Sequence, residues 1–219
     1  MKNIFKGAIE LNEDKKGMYS FNLNDLRYKF FFKFISSYVN LKMERNSKIT
    51  FSAEKVETLK QYLSREKNLS YHYCKSLFLD IGEQIKKLEK HNFGYLDIDI
   101  NDIIIIKSDN DNFSMIFLNI DKPFFKVEKN IIKINKPFKK NLLISPQIKN
   151  ISNIPTQIIY KQNIFYSLAK LICICIDNIN KDNYEDYKKD LDIILETKLY
   201  WALLRCLKDK PENRYYLLI

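Results

Sequence analysis

Glycine and proline are scarce in this sequence of 219 residues, which contains only 4 Gly and 5 Pro. Long flexible linkers are therefore not expected, and no Gly/Ser-rich or Pro-rich tract interrupts the chain. No tandem repeat is present either. Because 46% of the residues are hydrophobic and 14% are aromatic, the chain can bury a real core and is not a disordered protein.

Cysteine is also scarce, and its spacing excludes two kinds of site. The chain has four cysteines and no C-x-x-C pair; they are Cys74, Cys173, Cys175 and Cys206. Cys173 and Cys175 belong to an apolar run. The pattern predicts small buried thiols in a reducing compartment, rather than a zinc site or a disulfide framework.

Long hydrophobic runs are missing as well. The longest apolar segment, residues 164–176, is interrupted by Lys170 and is too short to span a bilayer. The first six residues lack the apolar core of a signal peptide. We therefore expect a soluble cytoplasmic protein with no membrane partner.

Acidic residues are outnumbered, at 27 against 37 Lys plus Arg, which gives a net charge of +10. A basic surface attracts nucleic acid or another anion, but the abundance of Lys, Asn and Ile is also typical of an AT-rich genome. No Arg cluster stands out, which favours the compositional explanation. Segment 122–140 could bind an acidic protein surface or nucleic acid, or be a solvated loop. Its lysines are Lys122, Lys126, Lys129, Lys133, Lys136, Lys139 and Lys140.

Hydrophobic periodicity predicts an α+β chain with a helical C-terminal body. Strands are expected near residues 8–11, 19–23 and 48–51, and residues 30–35 form an aromatic run that fits strand or helix. A short helix should follow residue 54. Ser70 should cap a longer helix, residues 103–106 and 115–120 should form a hairpin, and 121–144 should be extended. Residues 164–176 should form a buried helix, followed by one or two helices in 186–207.

A helix end, a carboxylate-rich loop and an apolar strand follow one another in residues 91–106. Tyr95-Leu96-Asp97 precedes Asp102 by the spacing of H-R-D-L-x-x-x-N, the catalytic loop of a protein kinase. Four later motifs match kinase motifs in the same order. Asn119-Ile120-Asp121 matches D-F-G, and Ser145-Pro146-Gln147 matches A-P-E. FYSLA at 165–169 matches the start of the buried helix, D-x-W-S-L-G, with Ile164 at the Asp position. RCLKDKPENR at 205–214 matches C-L-x-x-D-P-x-x-R.

The chain thus resembles a protein kinase over residues 55 to 216. With its Lys/Asn/Ile bias it looks most like kinase-like proteins of large nucleocytoplasmic DNA viruses, for which host cytoplasm or virion would be the location. The resemblance implies a kinase-like fold with a reduced β-rich N-lobe in residues 1–55. A mainly helical C-lobe would occupy residues 56–219.

The resemblance also implies the chemistry of the site. Asp97 would be the catalytic base. The alternative, favoured because Tyr95 and Leu96 replace the supporting His and Arg, is a loop carboxylate bonded to nearby amides. The metal ligands would be Asp102 and Asn119, an exchange of the usual Asn and Asp, with help from Asp121. The alternative is that these are solvated polar residues beside a hairpin.

Several parts of a kinase site are absent from the sequence. Gly7 and Gly17 do not form a G-x-G-x-x-G loop, and no V-A-I-K pattern supplies a phosphate-binding Lys. Asp99 stands where the resemblance implies a Lys, and its charge would repel the transferring phosphate. By contrast, the scaffold pair that joins A-P-E to the late Arg survives as Gln147 and Arg214, between which a charge-assisted hydrogen bond is possible.

These observations favour a pseudokinase that acts by binding a protein partner and needs no cofactor. The first alternative is a divergent serine/threonine kinase that uses Mg-ATP. The second is a basic nucleic-acid-associated or virion structural protein. The first predicts magnesium-dependent phosphate incorporation, and the second predicts steeply salt-dependent binding to DNA or RNA.

Overall fold

Alternating apolar residues at the start of the chain form strands, as predicted, and these strands pair into one antiparallel sheet. The computed structural model describes residues 2–7, 9–23, 42–43, 48–108, 113–119, 124–138, 143–177 and 191–218. The chain divides into two compact units, residues 1–62 with 100–121 and residues 63–99 with 122–219. The domain boundary predicted at residue 55 stays a prediction.

The first unit contains a five-stranded antiparallel sheet in the order β1-β2-β3-β5-β4. The strands predicted near residues 8–11 and 19–23 are confirmed as β2 and β3, which pair as a hairpin whose turn contains Gly17 at φ +76°. Phe21 and Phe51 stack at 5.0 Å between ring centroids on the buried face. The strands are β1 (Lys2–Phe5), β2 (Ile9–Lys15), β3 (Met18–Leu23), β4 (Lys42–Met43) and β5 (Lys48–Ser52). The aromatic run at 30–35 lies outside the described residues.

A three-stranded sheet, in the order β6-β8-β9, completes the first unit. The predicted hairpin is confirmed as β8 (Ile103–Lys107) and β9 (Phe113–Phe117), which pair antiparallel. The helix predicted after residue 54 is displaced, because β6 (Lys55–Thr58) pairs with β8 before helix α1 (Leu59–Glu66) begins.

The second unit combines helices with a four-stranded antiparallel sheet in the order β12-β11-β10-β7. The predicted capped helix is confirmed as α2 (Tyr71–Lys90), and Ser70 Oγ accepts a hydrogen bond from the Tyr73 amide. Segment 121–144 is extended where it is described, as β10 and β11. The strands are β7 (Phe93–Tyr95), β10 (Phe124–Glu128), β11 (Ile131–Ile134) and β12 (Thr156–Ile159).

The predicted buried helix is α4 (Tyr160–Asp177), which packs against α2. The consecutive residues Leu168, Ala169 and Lys170 are all buried, and because successive residues are rotated by about 100°, more than one side of the helix is covered. The short helix α3 (Pro146–Lys149) precedes it. A 3₁₀ turn, Leu191–Ile194, and helix α5 (Lys198–Cys206) follow it, in line with the prediction for the end of the chain. The described chain is therefore of mixed α and β class with antiparallel sheets, consistent with an α+β fold.

Candidate functional site

Asp102 and Asn119 lie side by side in the first unit, at the open end of the β8–β9 hairpin. Asp102 ends the 3₁₀ turn Ile100–Asp102, directly before β8. Ile103 pairs with Phe117, so the residue before β8 necessarily faces the residues after β9. The Leu118 amide donates to the Asp102 carbonyl over 2.9 Å, which continues the ladder past the strands.

The two side chains are joined by a hydrogen bond. Asn119 Nδ2 donates to Asp102 Oδ1 over 2.8 Å. Asp102 is buried, with Oδ2 shielded from solvent, and Asn119 is half-buried. A bond from an N–H to a carboxylate is charge-assisted and stronger than one between neutral groups. The hairpin register therefore brings together the two residues that the sequence paired only through a resemblance.

Asp97 lies in the second unit, two residues after β7. Leu96 before it is buried, and Asp97 itself is half-buried with Oδ1 shielded from solvent. The strand ahead of it is held by close packing at Gly94. A Cβ there would lie 2.5 Å from Cζ of Tyr160 and 2.8 Å from Cγ2 of Val127. Any residue larger than glycine at position 94 would clash with Tyr160 and Val127. This close packing holds in place the strand that precedes Asp97.

The remaining predicted ligand, Asp121, lies outside the described residues. Asp99 is described and is half-buried in the same loop as Asp97. Among the described residues, no cluster of three His, Cys, Asp or Glu side chains is arranged to hold a metal ion. Of the three predicted metal ligands, only Asp102 and Asn119 therefore lie within the described residues, where they contact each other.

Gln147 and Arg214, the predicted scaffold pair, meet on one acceptor in the second unit. Gln147 Nε2 donates to the Asp209 carbonyl over 3.0 Å, and Arg214 Nη2 donates to the same oxygen over 2.8 Å. Arg214 is 2% exposed and also donates to the carbonyls of Lys208 and Gln162. Its guanidinium lies 4.5 Å from the ring centroid of Tyr166. The two side chains therefore share a backbone acceptor in the 208–209 turn, and no hydrogen bond joins them directly, because Gln147 Oε1 has no donor.

Asn163 is a site residue that the sequence reasoning missed. Motif matching assigned Ile164 to the position of the buried polar residue, but Ile164 is apolar and fully buried. Its neighbour Asn163 accepts a hydrogen bond from Ser145 Oγ through Oδ1 and donates to the Ile159 carbonyl. A motif search that allowed a shift of one residue would have found it.

The lysines of segment 122–140 are exposed where the structure describes them. Lys126 and Lys133 extend from β10 and β11, and Lys126 forms an ion pair with Glu128. The hydrogen bond from Lys126 lowers the pKa of the Glu128 carboxyl. Lys129 and Lys136 are exposed as well, so the described part of the segment has four lysines against the single acidic residue Glu128, and binding to an anionic partner stays a prediction. Lys122, Lys139 and Lys140 lie outside the described residues.

A cavity of about 520 Å³ lies beside α5 in the second unit, and no sequence pattern predicted it. Its apolar wall includes Tyr200 and Leu204, which share one face of the helix. The spacing of four residues places these two apolar side chains on one helix face, but the same spacing is typical of a face that packs on the core and therefore does not indicate a cavity. Lys208 and Lys210 line the cavity as well.

The four cysteines are buried and free, as predicted. Within the described parts of the chain, no helix is long and apolar enough to cross a membrane. In comparisons with known proteins, no family model and no curated protein matches this chain.

Proposed function

We propose that this chain is a degenerate kinase-like domain that has lost phosphoryl transfer and acts by binding another protein. The observation that carries the proposal is the hydrogen bond from Asn119 Nδ2 to Asp102 Oδ1. In the resemblance, these two positions supply the oxygen ligands of magnesium. Their proximity supports the kinase-like arrangement, and the direction of the bond supports its loss of chemistry.

Magnesium fits this pair poorly. Mg²⁺ takes oxygen ligands in near-octahedral geometry and repels N–H donors. Here the amide turns its N–H group toward the carboxylate, so Asp102 Oδ1 is already bonded to a protein donor. A neutral amide bound to a carboxylate stabilises the end of the hairpin without a cation. We derive no catalytic step through magnesium from these residues.

Other positions support the same proposal. A kinase carries its phosphate-binding Lys on the third strand of the N-lobe. In this chain the third strand, β3 (Met18–Leu23), contains no lysine. Asp99 contributes negative charge where the resemblance implies a positive one. The proposal therefore does not depend on the Asp102–Asn119 pair alone.

The scaffold is better preserved than the chemistry. Arg214 is buried and hydrogen-bonded by backbone carbonyls, and Gln147 shares one of them. The first unit is mainly β-strand, and the second contains the long helices α2 and α4 beside its sheet. This division supports a small N-lobe and a larger C-lobe, although residues 100–121, expected in the C-lobe, belong to the first unit. A chain that keeps such links while losing catalytic groups is suited to binding rather than turnover.

The test compares thermal unfolding with and without millimolar Mg-ATP, followed by a phosphate-transfer assay. A ligand that binds the native state raises the unfolding midpoint through mass action. We expect no metal-dependent rise and no incorporation of phosphate into generic substrates or the chain itself. Incorporation that Asp97→Asn abolishes would overturn the proposal in favour of an active kinase using Asp97, Asp102 and Asn119. Asp192→Asn is the matched control, because Asp192 is exposed and lies in the 3₁₀ turn before α5.

A further inference from the structure

We propose that the cavity beside α5 is the docking site for an acidic segment of another protein that carries a large apolar side chain. This proposal rests on the protein-binding function proposed above, and it adds to that function a binding surface and a class of partner. The cavity is formed by residues of the second unit alone, between Tyr200 and Asn213.

The inner wall of the cavity is apolar. It is lined by Tyr200, Leu204 and Leu207. The helix α5 packs on the core through its opposite face, and Tyr200 and Leu204 are half-buried on the face that lines the cavity. At about 520 Å³, the space exceeds what one Phe or Leu side chain fills. It is therefore large enough for an apolar anchor together with part of the chain that carries it.

The rim of the cavity is basic. Lys208 and Lys210 are exposed at its edge, on either side of Asp209. Over residues 198–213 the chain has four basic residues, Lys198, Arg205, Lys208 and Lys210, against two acidic ones, Asp209 and Glu212. Charge complementarity therefore selects a partner with acidic residues beside its apolar anchor.

The rim is also held in place before any partner arrives. Arg214 donates to the carbonyls of Lys208 and Asp209, and Gln147 donates to the second of them. These bonds fix the backbone that carries both rim lysines. A preorganised surface loses less conformational entropy on binding than a flexible loop does.

Nearby exposed aromatic and aliphatic side chains favour a protein over a small ligand. Trp201 is 50% exposed and its ring meets that of Tyr200 edge-on at 5.0 Å. Ile193 and Leu195, a few residues earlier, are 66% and 52% exposed. Protein interfaces are enriched in Trp and Tyr at their centres, whereas isolated surface side chains of this size contribute little to a small-molecule pocket.

The single tryptophan of the chain provides a direct readout. Trp201 contacts a residue of the cavity wall, so occupation of the cavity should change its emission. The probe is the short peptide Asp-Glu-Asp-Phe-Asp-Glu-Leu-Glu, titrated into the full chain. The matched peptide has Ser in place of Phe and Leu, and a single-stranded RNA serves as a purely anionic competitor.

We expect saturable binding of the first peptide and at least about tenfold weaker binding of the Ser-substituted one, since the anchor supplies the larger part of the affinity. Leu204→Lys should weaken binding about tenfold or more. The double change Lys208→Glu and Lys210→Glu should weaken it about tenfold and reduce its salt dependence. Leu79→Lys, on the exposed face of α2, and Lys16→Glu, in the turn between β2 and β3, are matched controls outside the cavity and should change affinity less than about twofold.

The proposal would be overturned if both peptides bound with equal affinity. It would also be overturned if RNA competed with the first peptide and Leu204→Lys left that competition unchanged. Either result would mean that the site binds anions in general. No binding at any accessible concentration would also overturn it. Circular dichroism of each variant establishes that it is folded before its affinity is compared. None of these outcomes depends on nucleotide binding, so the failure of this proposal is distinguishable from the failure of the degenerate-kinase proposal.

Discussion

Gln147 and Arg214 donate hydrogen bonds to the same acceptor, the backbone carbonyl oxygen of Asp209. Arg214 is almost fully buried, and its Nε and Nη1 atoms donate to two further carbonyls, those of Lys208 and Gln162. A planar guanidinium can reach three carbonyls at once while its face packs on Tyr166. The junction therefore depends on the shape of the arginine side chain as well as on its charge.

Replacing Arg214 by Lys should therefore destabilise the protein even though the charge is kept. An ammonium group cannot reach the three carbonyls with the same geometry, so at least one buried acceptor loses its donor. We expect a loss of about 2 kcal/mol in the free energy of unfolding, measured by urea denaturation. Arg205→Lys is the matched control, since Arg205 is half-exposed, and it should cost less than about 0.5 kcal/mol. Equal losses in the two variants would contradict this account.

The parts of the fold that depend on local sequence could be predicted. Ser70 precedes a stripe of apolar residues with helical spacing, and it caps α2. The β8–β9 hairpin was predictable because two apolar runs flank a polar turn. In each case, neighbouring residues alone determine the backbone conformation.

The rest depended on partners far away in the chain. The four residues of β6 carry no strong strand pattern, and only their pairing with β8 defines the strand. The acceptors of Arg214 are backbone carbonyls, which every residue has, so no side-chain pattern could identify them. By contrast, the contact of Asp102 with Asn119 follows from the hairpin register and could have been derived from it.

Gly82 is the position in α2 where a larger residue should be least tolerated. A Cβ there would clash with the hydroxyl of Tyr216, and the ring of Tyr216 stacks on Phe78 and Phe165. Alanine favours the helix by about 1 kcal/mol relative to glycine. We nevertheless expect Gly82→Ala to lower the free energy of unfolding by about 2 kcal/mol, because the clash displaces a packed ring.

A double-mutant cycle separates the clash from any general effect on the helix. In a Tyr216→Ala background the space beside residue 82 is open, so Gly82→Ala should be neutral or stabilising there. The measurement is urea denaturation of the four proteins of the cycle. If Gly82→Ala were equally destabilising in both backgrounds, contact with Tyr216 would not be the cause.

Asn119→Asp tests whether the Asp102 carboxylate depends on an N–H donor rather than on a cation. The change removes the donor and places a second carboxylate beside the first, so we expect a loss of about 2 kcal/mol in the absence of divalent ions. Two adjacent carboxylates form a site for a hard cation, so Mg²⁺ should restore part of the lost stability.

The control for this variant is Asp102→Asn, which leaves two amides and should not respond to Mg²⁺. Thermal unfolding with and without the metal supplies the measurement for all three proteins. The wild-type midpoint should also be insensitive to Mg²⁺. A metal-dependent rise in the wild type as large as that in Asn119→Asp would mean that the natural pair already binds a cation.

Three buried thiols should make the protein less stable at alkaline pH. Burial raises the pKa of Cys74 and of Cys206 to about 12 and raises the pKa of Cys175 well above its ordinary value. In the unfolded chain a thiol titrates near about pH 8.5. Above that pH the unfolded state releases protons that the native state keeps, so stability falls as pH rises.

Each such thiol adds a slope of at most about 1.4 kcal/mol per pH unit to the fall in stability. The slope should be measured by urea denaturation between about pH 8 and about pH 9, where an unfolded thiol titrates but an exposed tyrosine, with a pKa of about 10, is still mostly protonated. Cys206→Ala removes one titrating group and should make the slope shallower, whatever its effect on stability at neutral pH. The thiol of Cys206 is buried and donates to the Tyr215 carbonyl, so it should stay protonated in the native state. An unchanged slope in the variant would mean that Cys206 ionises equally in the native and unfolded states, which would contradict this account.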